Sequence, residues 1–143
     1  MDDATDVEQT LASVPLFSSL DKRTINRLAQ DGKRRVYAPG DPIVRQDATA
    51  TALYVIVRGK VRVHEGEDGP TLGELHAGDF FGELALIEKH PRTASVTAID
   101  ETECVLFVAW EFTALLTEHP EMAMPIMYAL IERLHRREHH TRS

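Results

Sequence analysis

Apolar positions change their spacing twice along the chain, and the two changes divide it into three stretches. In the first, Ile25, Leu28 and Ala29 recur at helical spacing, which predicts a helix from an Asp21 cap to about Gln30. Thr5 or Asp6 can cap a shorter helix through Leu11, and Val14-Pro15-Leu16-Phe17-Ser18-Ser19-Leu20 turns the chain between the two. From Gly32 to Val108 the pattern becomes short strands broken by turns. Arg34 to Tyr37 reads as a strand ended by Pro39-Gly40-Asp41-Pro42, and Ile43 to Arg45 resumes it. Leu53 to Val57 is a continuous apolar run suited to a buried strand; beyond the turn Arg58-Gly59-Lys60, Val61 and Val63 alternate with Arg62 and His64. Thr71 to Leu75, Ala94 to Ala98 and Glu103 to Val108 complete the strands.

After Ala109 the helical period returns. Trp110 to Leu116 is a short helix, and His119-Pro120-Glu121 opens a longer one to about Glu138. Its stripe is Met122, Ile126, Leu130 and Leu134, with Met127 and Ile131 beside it, and Pro125 should delay or kink its start. The fold class expected is mainly β with flanking helices: an eight-stranded β-roll of the jelly-roll kind, an amino-terminal helical segment and two carboxy-terminal helices. A chain of 143 residues with 43% hydrophobic content makes one domain, with helices over 1–31, the roll over 32–109 and helices over 110–143.

Charge and cysteine content narrow the function classes. A net charge of −7 repels phosphate backbones, so nucleic acid is not expected as a direct partner. Cys104, the single cysteine, stands in the apolar run Cys104-Val105-Leu106-Phe107-Val108 and reads as a small buried hydrophobe in a reducing compartment. The start Met1-Asp2-Asp3 is acidic and unlike a signal peptide, and no apolar run approaches the roughly 20 residues of a membrane span. A cytoplasmic protein without membrane contact is expected. His135 and His139 are four apart on the last helix, but two ligands in a polar tail do not make a metal site.

The stretch richest in chemistry is Phe80 to Val96, Phe-Phe-Gly-Glu-Leu-Ala-Leu-Ile-Glu-Lys-His-Pro-Arg-Thr-Ala-Ser-Val. Gly82 permits a tight turn, and Glu83 to Ile87 reads as one helical turn whose first amides are free donors, an anion-binding arrangement. Arg92 adds a planar fork that can take two phosphate oxygens. A carboxylate and a guanidinium flank free amides, which suits a ligand carrying both a phosphate and a hydroxyl.

Phe81-Gly82-Glu83-Leu84-Ala85-Leu86, followed by Pro91-Arg92-Thr93-Ala94-Ser95-Val96, resembles the phosphate-binding cassette of cyclic nucleotide-binding domains, found in cAMP-dependent protein kinase regulatory subunits, cyclic-nucleotide-gated channels and bacterial catabolite-activator-type regulators. The Val-Pro-Leu-Phe-x-x-Leu segment and the Pro-Gly-Asp, Arg-Gly-Lys-Val and Ala-Gly-Asp-Phe turns carry the likeness along nearly the whole chain. The resemblance implies a regulatory module rather than an enzyme, with a cyclic nucleotide as ligand, cAMP first and cGMP second, and no cofactor. Within residues 81–96, it assigns the ribose to Glu83 and Gly82, and the phosphate to Arg92, Thr93, Ala85 and Leu84. Val63, Leu72 and Gly73 match positions that wall the base, and Arg133, Arg136 and Arg137 are candidates to cap it from the last helix, which acts as a lid. The signal would pass to a separate protein, to a second copy through that helix, or to a portion of a larger regulator outside these 143 residues, within which no helix-turn-helix output of the catabolite-activator kind is expected.

Two other readings remain. Cupin-type metalloenzymes use a similar roll, but Gln46, Asp47, Ala48 and Thr49 stand where their ligands would be needed after Gly40. A ligand-free interaction module on the same fold is the second, and Glu83 with Arg92 argues against it.

Overall fold

Two four-stranded antiparallel sheets carry the fold in the computed structural model, which describes residues 3–45, 52–67, 69–82 and 94–142. Helix α1 (Asp3–Ser13), a 3-10 turn (Pro15–Phe17) and α2 (Lys22–Asp31) precede strands β1 (Lys33–Tyr37), β2 (Pro42–Val44), β3 (Ala52–Arg58), β4 (Lys60–His64), β5 (Thr71–His76), β6 (Phe80–Phe81), β7 (Ser95–Ala98) and β8 (Thr102–Val108). Helix α3 (Ala109–Glu118), a second 3-10 turn (Pro120–Met122) and α4 (Ala123–Arg142) follow. One sheet has the order β1-β8-β3-β6 and the other β2-β7-β4-β5. This is the mainly β roll with flanking helices that the alternating pattern predicts.

The strand pairing of β3 with β8 explains why both read as unbroken apolar runs. Tyr54 pairs with Leu106, Val55 with Val105 and Ile56 with Cys104, so successive residues point to opposite faces of a sheet that is covered on both. Ala52, Tyr54, Ile56, Cys104 and Leu106 enter the space between the sheets, where they meet Val61, Leu75, Phe81 and Val96. Leu53, Val55, Val105 and Phe107 face the other way, into a core shared with α1, α2, α3 and the start of α4. Each fully buried Leu, Val or Phe there stabilises the fold by about 1.5 to 3 kcal/mol.

Local chemistry sets the element ends. The Asp21 side chain accepts from the Thr24 amide at 2.9 Å and starts α2, and that bond holds the carboxyl below its ordinary range. Gly32 ends α2, its amide donating to the Leu28 carbonyl, where a Cβ would lie 2.4 Å from Val105 Cγ1. At the tight turn between β3 and β4, Gly59 has φ +100° and an added Cβ would stand 2.5 Å from the Glu101 carbonyl oxygen. Both the backbone conformation and the collision penalise a side chain, so Gly59→Ala should cost about 2 to 3 kcal/mol in a urea titration followed by circular dichroism.

Three features qualify the sequence reading. Phe80–Phe81, expected to open the cassette turn, forms the two-residue strand β6 on β3, through Tyr54↔Phe81 and Val55↔Phe80. Pro125 does not kink α4, although the start is delayed as expected: Pro120–Met122 forms a 3-10 turn and the helix begins at Ala123, with Pro125 third, where no intrahelical donor is lost. The stripe of α4 also rotates. Met122 and Ile126 are buried and Leu130 packs on the same core, but Met127, Ile131 and Leu134 are exposed, Leu134 to 56%. The inward position after Leu130 is taken by Arg133, three residues on, rather than by Leu134.

Glu103 is buried on the sheet between two arginines that sequence pattern did not connect to it. Arg34 Nε on β1 donates to its Oε2 at 2.6 Å, and Arg58 Nη2 on β3 lies 3.4 Å from its Oε1. Next to it, Cys104 is fully buried, and desolvation, then the Glu103 charge, pushes its thiol up to about 12. The folded thiol stays neutral and shielded. Native protein at pH 8 should therefore leave Ellman's reagent unreacted for hours, and guanidinium unfolding should release one thiol per chain.

Candidate functional site

The roll is closed at one end and partly open at the other. Val61 and Leu75 face each other across β4 and β5 and are fully covered, whereas two positions along, the pair Val63↔Gly73 is only half-buried. A Cβ added to Gly73 would meet nothing within 4 Å among the described residues. Between the pairs Val63↔Gly73 and His64↔Thr71 the register shifts, which leaves Leu72 as the extra residue of a β-bulge. A bulge re-aims a side chain relative to its strand. Val63, Leu72 and Gly73, three positions expected to wall a base, are each half-buried, and Val63 packs against the inner core.

The boundary of this hollow toward the other sheet is aromatic. Phe81 stacks on Tyr54 with centroids 4.8 Å apart and planes 8° from parallel. The Tyr37 hydroxyl, also on this side, is raised in pKa by burial and then by Tyr54 and Cys104. Directly after Phe81, Gly82 takes φ +95°, a conformation that favours glycine and turns the chain out of β6. The chain rejoins the described structure at Ala94 and enters β7, where Val96 pairs with Val63. Residues 83–93 therefore connect the edge strand of one sheet to an interior strand of the other, with both anchors beside the hollow. Glu83, Leu84, Ala85, Arg92 and Thr93 lie outside the described residues.

The last helix runs past β5, the strand that carries Leu72 and Gly73. On that helix the Arg133 guanidinium lies over the Phe80 ring, 5.1 Å from the centroid, and Nη2 donates to the Phe80 carbonyl. Arg136 and Arg137 belong to the same helix, and their side chains lie outside the described residues.

His64 was read only as a polar alternate of Val63, yet it is 2% exposed. Its Nε2 is 2.8 Å from Thr97 Oγ1, while Nδ1 has no hydrogen-bond partner among the described residues. Strand alternation puts it on the face opposite Val63, and nothing in the sequence distinguishes it from a solvated strand residue. Among the described residues no three His, Cys, Asp or Glu side chains assemble as metal ligands, and no helix is long and apolar enough to cross a membrane.

The described residues thus show a half-buried apolar strand pair, Val63 with Gly73, and a positive-φ glycine at Gly82 where the chain leaves β6. The family model for the cyclic nucleotide-binding domain matches residues 34–119. The chain is 33% identical over 123 residues to the cyclic AMP receptor protein of Thermus thermophilus, covering 84% of this chain and 57% of that one. With a cyclic nucleotide-gated potassium channel of Rhizobium etli it shares 35% over 125 residues, 87% of this chain and 34% of the channel. The crystallised regulatory domain of Toxoplasma gondii PKA with cAMP superposes with a TM-score of 0.77 at 25% identity, over 88% of this chain and 49% of that one. These relatives extend well beyond the matched part, and the chain spans little more than half of the first and about a third of the second. Fold, strand order and the family match agree: the chain belongs to the cyclic nucleotide-binding domain family.

Proposed function

We propose that the chain binds a 3′,5′-cyclic nucleotide, cAMP in preference to cGMP, and acts as a ligand-dependent regulatory module. The observation that carries the reading is the half-open wall of Val63, Leu72 and Gly73 at the point where Gly82 leads into the Glu83 to Arg92 segment. The base lies against the wall, Glu83 accepts from the ribose 2′-hydroxyl, and Arg92, with the amides of Leu84 and Ala85 and the Thr93 hydroxyl, takes the cyclic phosphate. Gly82 allows the backbone to approach the sugar. The relatives named for cyclic AMP and cyclic nucleotides, and the neighbour crystallised with cAMP, support this ligand class.

The output is a shift between two arrangements. Phosphate capture displaces the cassette, α3 and α4 re-pack, and the last helix carries the change outward. Its exposed face suits a second copy of the chain: Met124, Met127, Ile131 and Leu134 follow one another at steps of 3, 4 and 3, the spacing of a coiled-coil seam, and all four are exposed.

Titration calorimetry with cAMP, cGMP and 5′-AMP tests the ligand, and sedimentation with and without ligand tests the seam. Cyclic ligands should bind at least a hundredfold more tightly than 5′-AMP. Failure of both cyclic ligands would return the chain to the ligand-free interaction module.

A further inference from the structure

We propose that Arg133 is a positioning residue that ties α4 to β6, so that the last helix and the strand leading into residues 83–93 move as one body. Three observations carry this. The guanidinium covers the Phe80 ring at 5.1 Å, and Nη2 donates to the main-chain carbonyl of the same residue, so one side chain grips both ring and backbone. Phe80 is buried among the helices, while Phe81 faces the opposite side of the sheet and stacks on Tyr54. Finally, β6 has two residues and lies at the end of its sheet's strand order, paired there with β3 through Tyr54↔Phe81 and Val55↔Phe80. Nearby, the chain is held by the Ile56 amide donating to the Asp79 carbonyl at 2.9 Å and the Gly78 amide donating to the Ile56 carbonyl at 2.8 Å. A strand this short has little ladder of its own, and the arginine adds an anchor from the helix side.

The consequence is mechanical. Movement of β6 along its axis drags Phe80, and with it Arg133 and the second half of α4. Movement of α4 acts on β6 in the reverse direction, as reciprocity between linked sites requires. The geometry needs a planar donor fork that can lie flat on a ring while one nitrogen reaches a carbonyl, which an ammonium does not reproduce. It also accounts for the rotated stripe of α4, in which Arg133 turns inward and Leu134 outward.

Amide hydrogen exchange on the full chain tests the tether without ligand. Arg133→Met should speed exchange tenfold or more at Phe80, Phe81 and the segment from Leu130 onward, while β3 paired with β8 keeps its protection. Arg133→Lys, which preserves charge and solubility, should give an intermediate increase. Changes within twofold at both segments in both variants would overturn the proposal. A second arm rests on the cyclic nucleotide reading. At saturating cAMP the parent should show altered exchange in α4, and Arg133→Met should lose that response. A response in Arg133→Met equal to the parent's would overturn the tether as a coupling element. Loss of cAMP binding by more than a hundredfold would do so too, because Arg133 would then contact the nucleotide. A parent that binds no cyclic nucleotide defeats the functional reading and leaves the ligand-free arm decisive for the tether.

Discussion

Arg92→Ala should abolish measurable cyclic nucleotide binding at micromolar ligand. In the proposed site, removing the guanidinium leaves a phosphate charge without its partner, a loss of about 2 to 5 kcal/mol, or about thirty- to several-thousandfold in Kd. Arg92→Lys keeps the charge but gives up the fork that meets two oxygens at once, so calorimetry should place it between parent and Arg92→Ala. In the proposed site Arg92 is one end of a grip whose other end is Glu83. Glu83→Gln replaces a charge-assisted hydrogen bond to the ribose hydroxyl with a neutral one and should weaken binding less. Binding by Arg92→Ala within threefold of the parent would remove the phosphate assignment and with it the order of the whole site.

What the sequence revealed, and what it hid, divides along physical lines. Strands β3 and β8 were legible because a sheet buried on both faces leaves an unbroken apolar run, and Asp21 was legible because a capping carboxylate has a fixed place before its helix. Strand β6 was not: two residues are too few to display a period, and its pairing with β3 is a long-range contact. Val63, Leu72 and Gly73 could be named as candidates from family likeness alone, whereas the bulge at Leu72 depends on a register shift. Arg133 shows the limit most clearly. An arginine at the end of a stripe reads as a solvated helix terminus, and only the position of Phe80 reveals that it turns inward. The salt bridges of Glu103 likewise join three strands far apart in sequence, and no local pattern announces them.

Phe17→Ala should lower the stability of the fold by about 3 to 5 kcal/mol, measured by chemical denaturation at constant m-value. Phe17 is 1% exposed and meets Phe107 edge to face, with centroids 6.0 Å apart and planes at 82°. It belongs to the core that bonds the helices to one face of the β3 and β8 sheet, so its removal leaves a cavity where amino-terminal and carboxy-terminal helices share the same support. The hollow beside Val63 and Gly73 is on the other side of that sheet, next to the second core built on Tyr54, Val61, Leu75 and Phe81. The two cores thus have different tasks. The helix-side core sets how firmly α4 and its partners are seated, and the inner core underlies the proposed ligand wall. Where Phe17→Ala remains folded, its affinity for cAMP should change only through the link between α4 and β6, and so by much less than the loss of stability, while the unfolding midpoint drops. Affinity falling in proportion to stability would mean that the helix layer and the ligand wall are one cooperative unit, and the separation of tasks would be wrong.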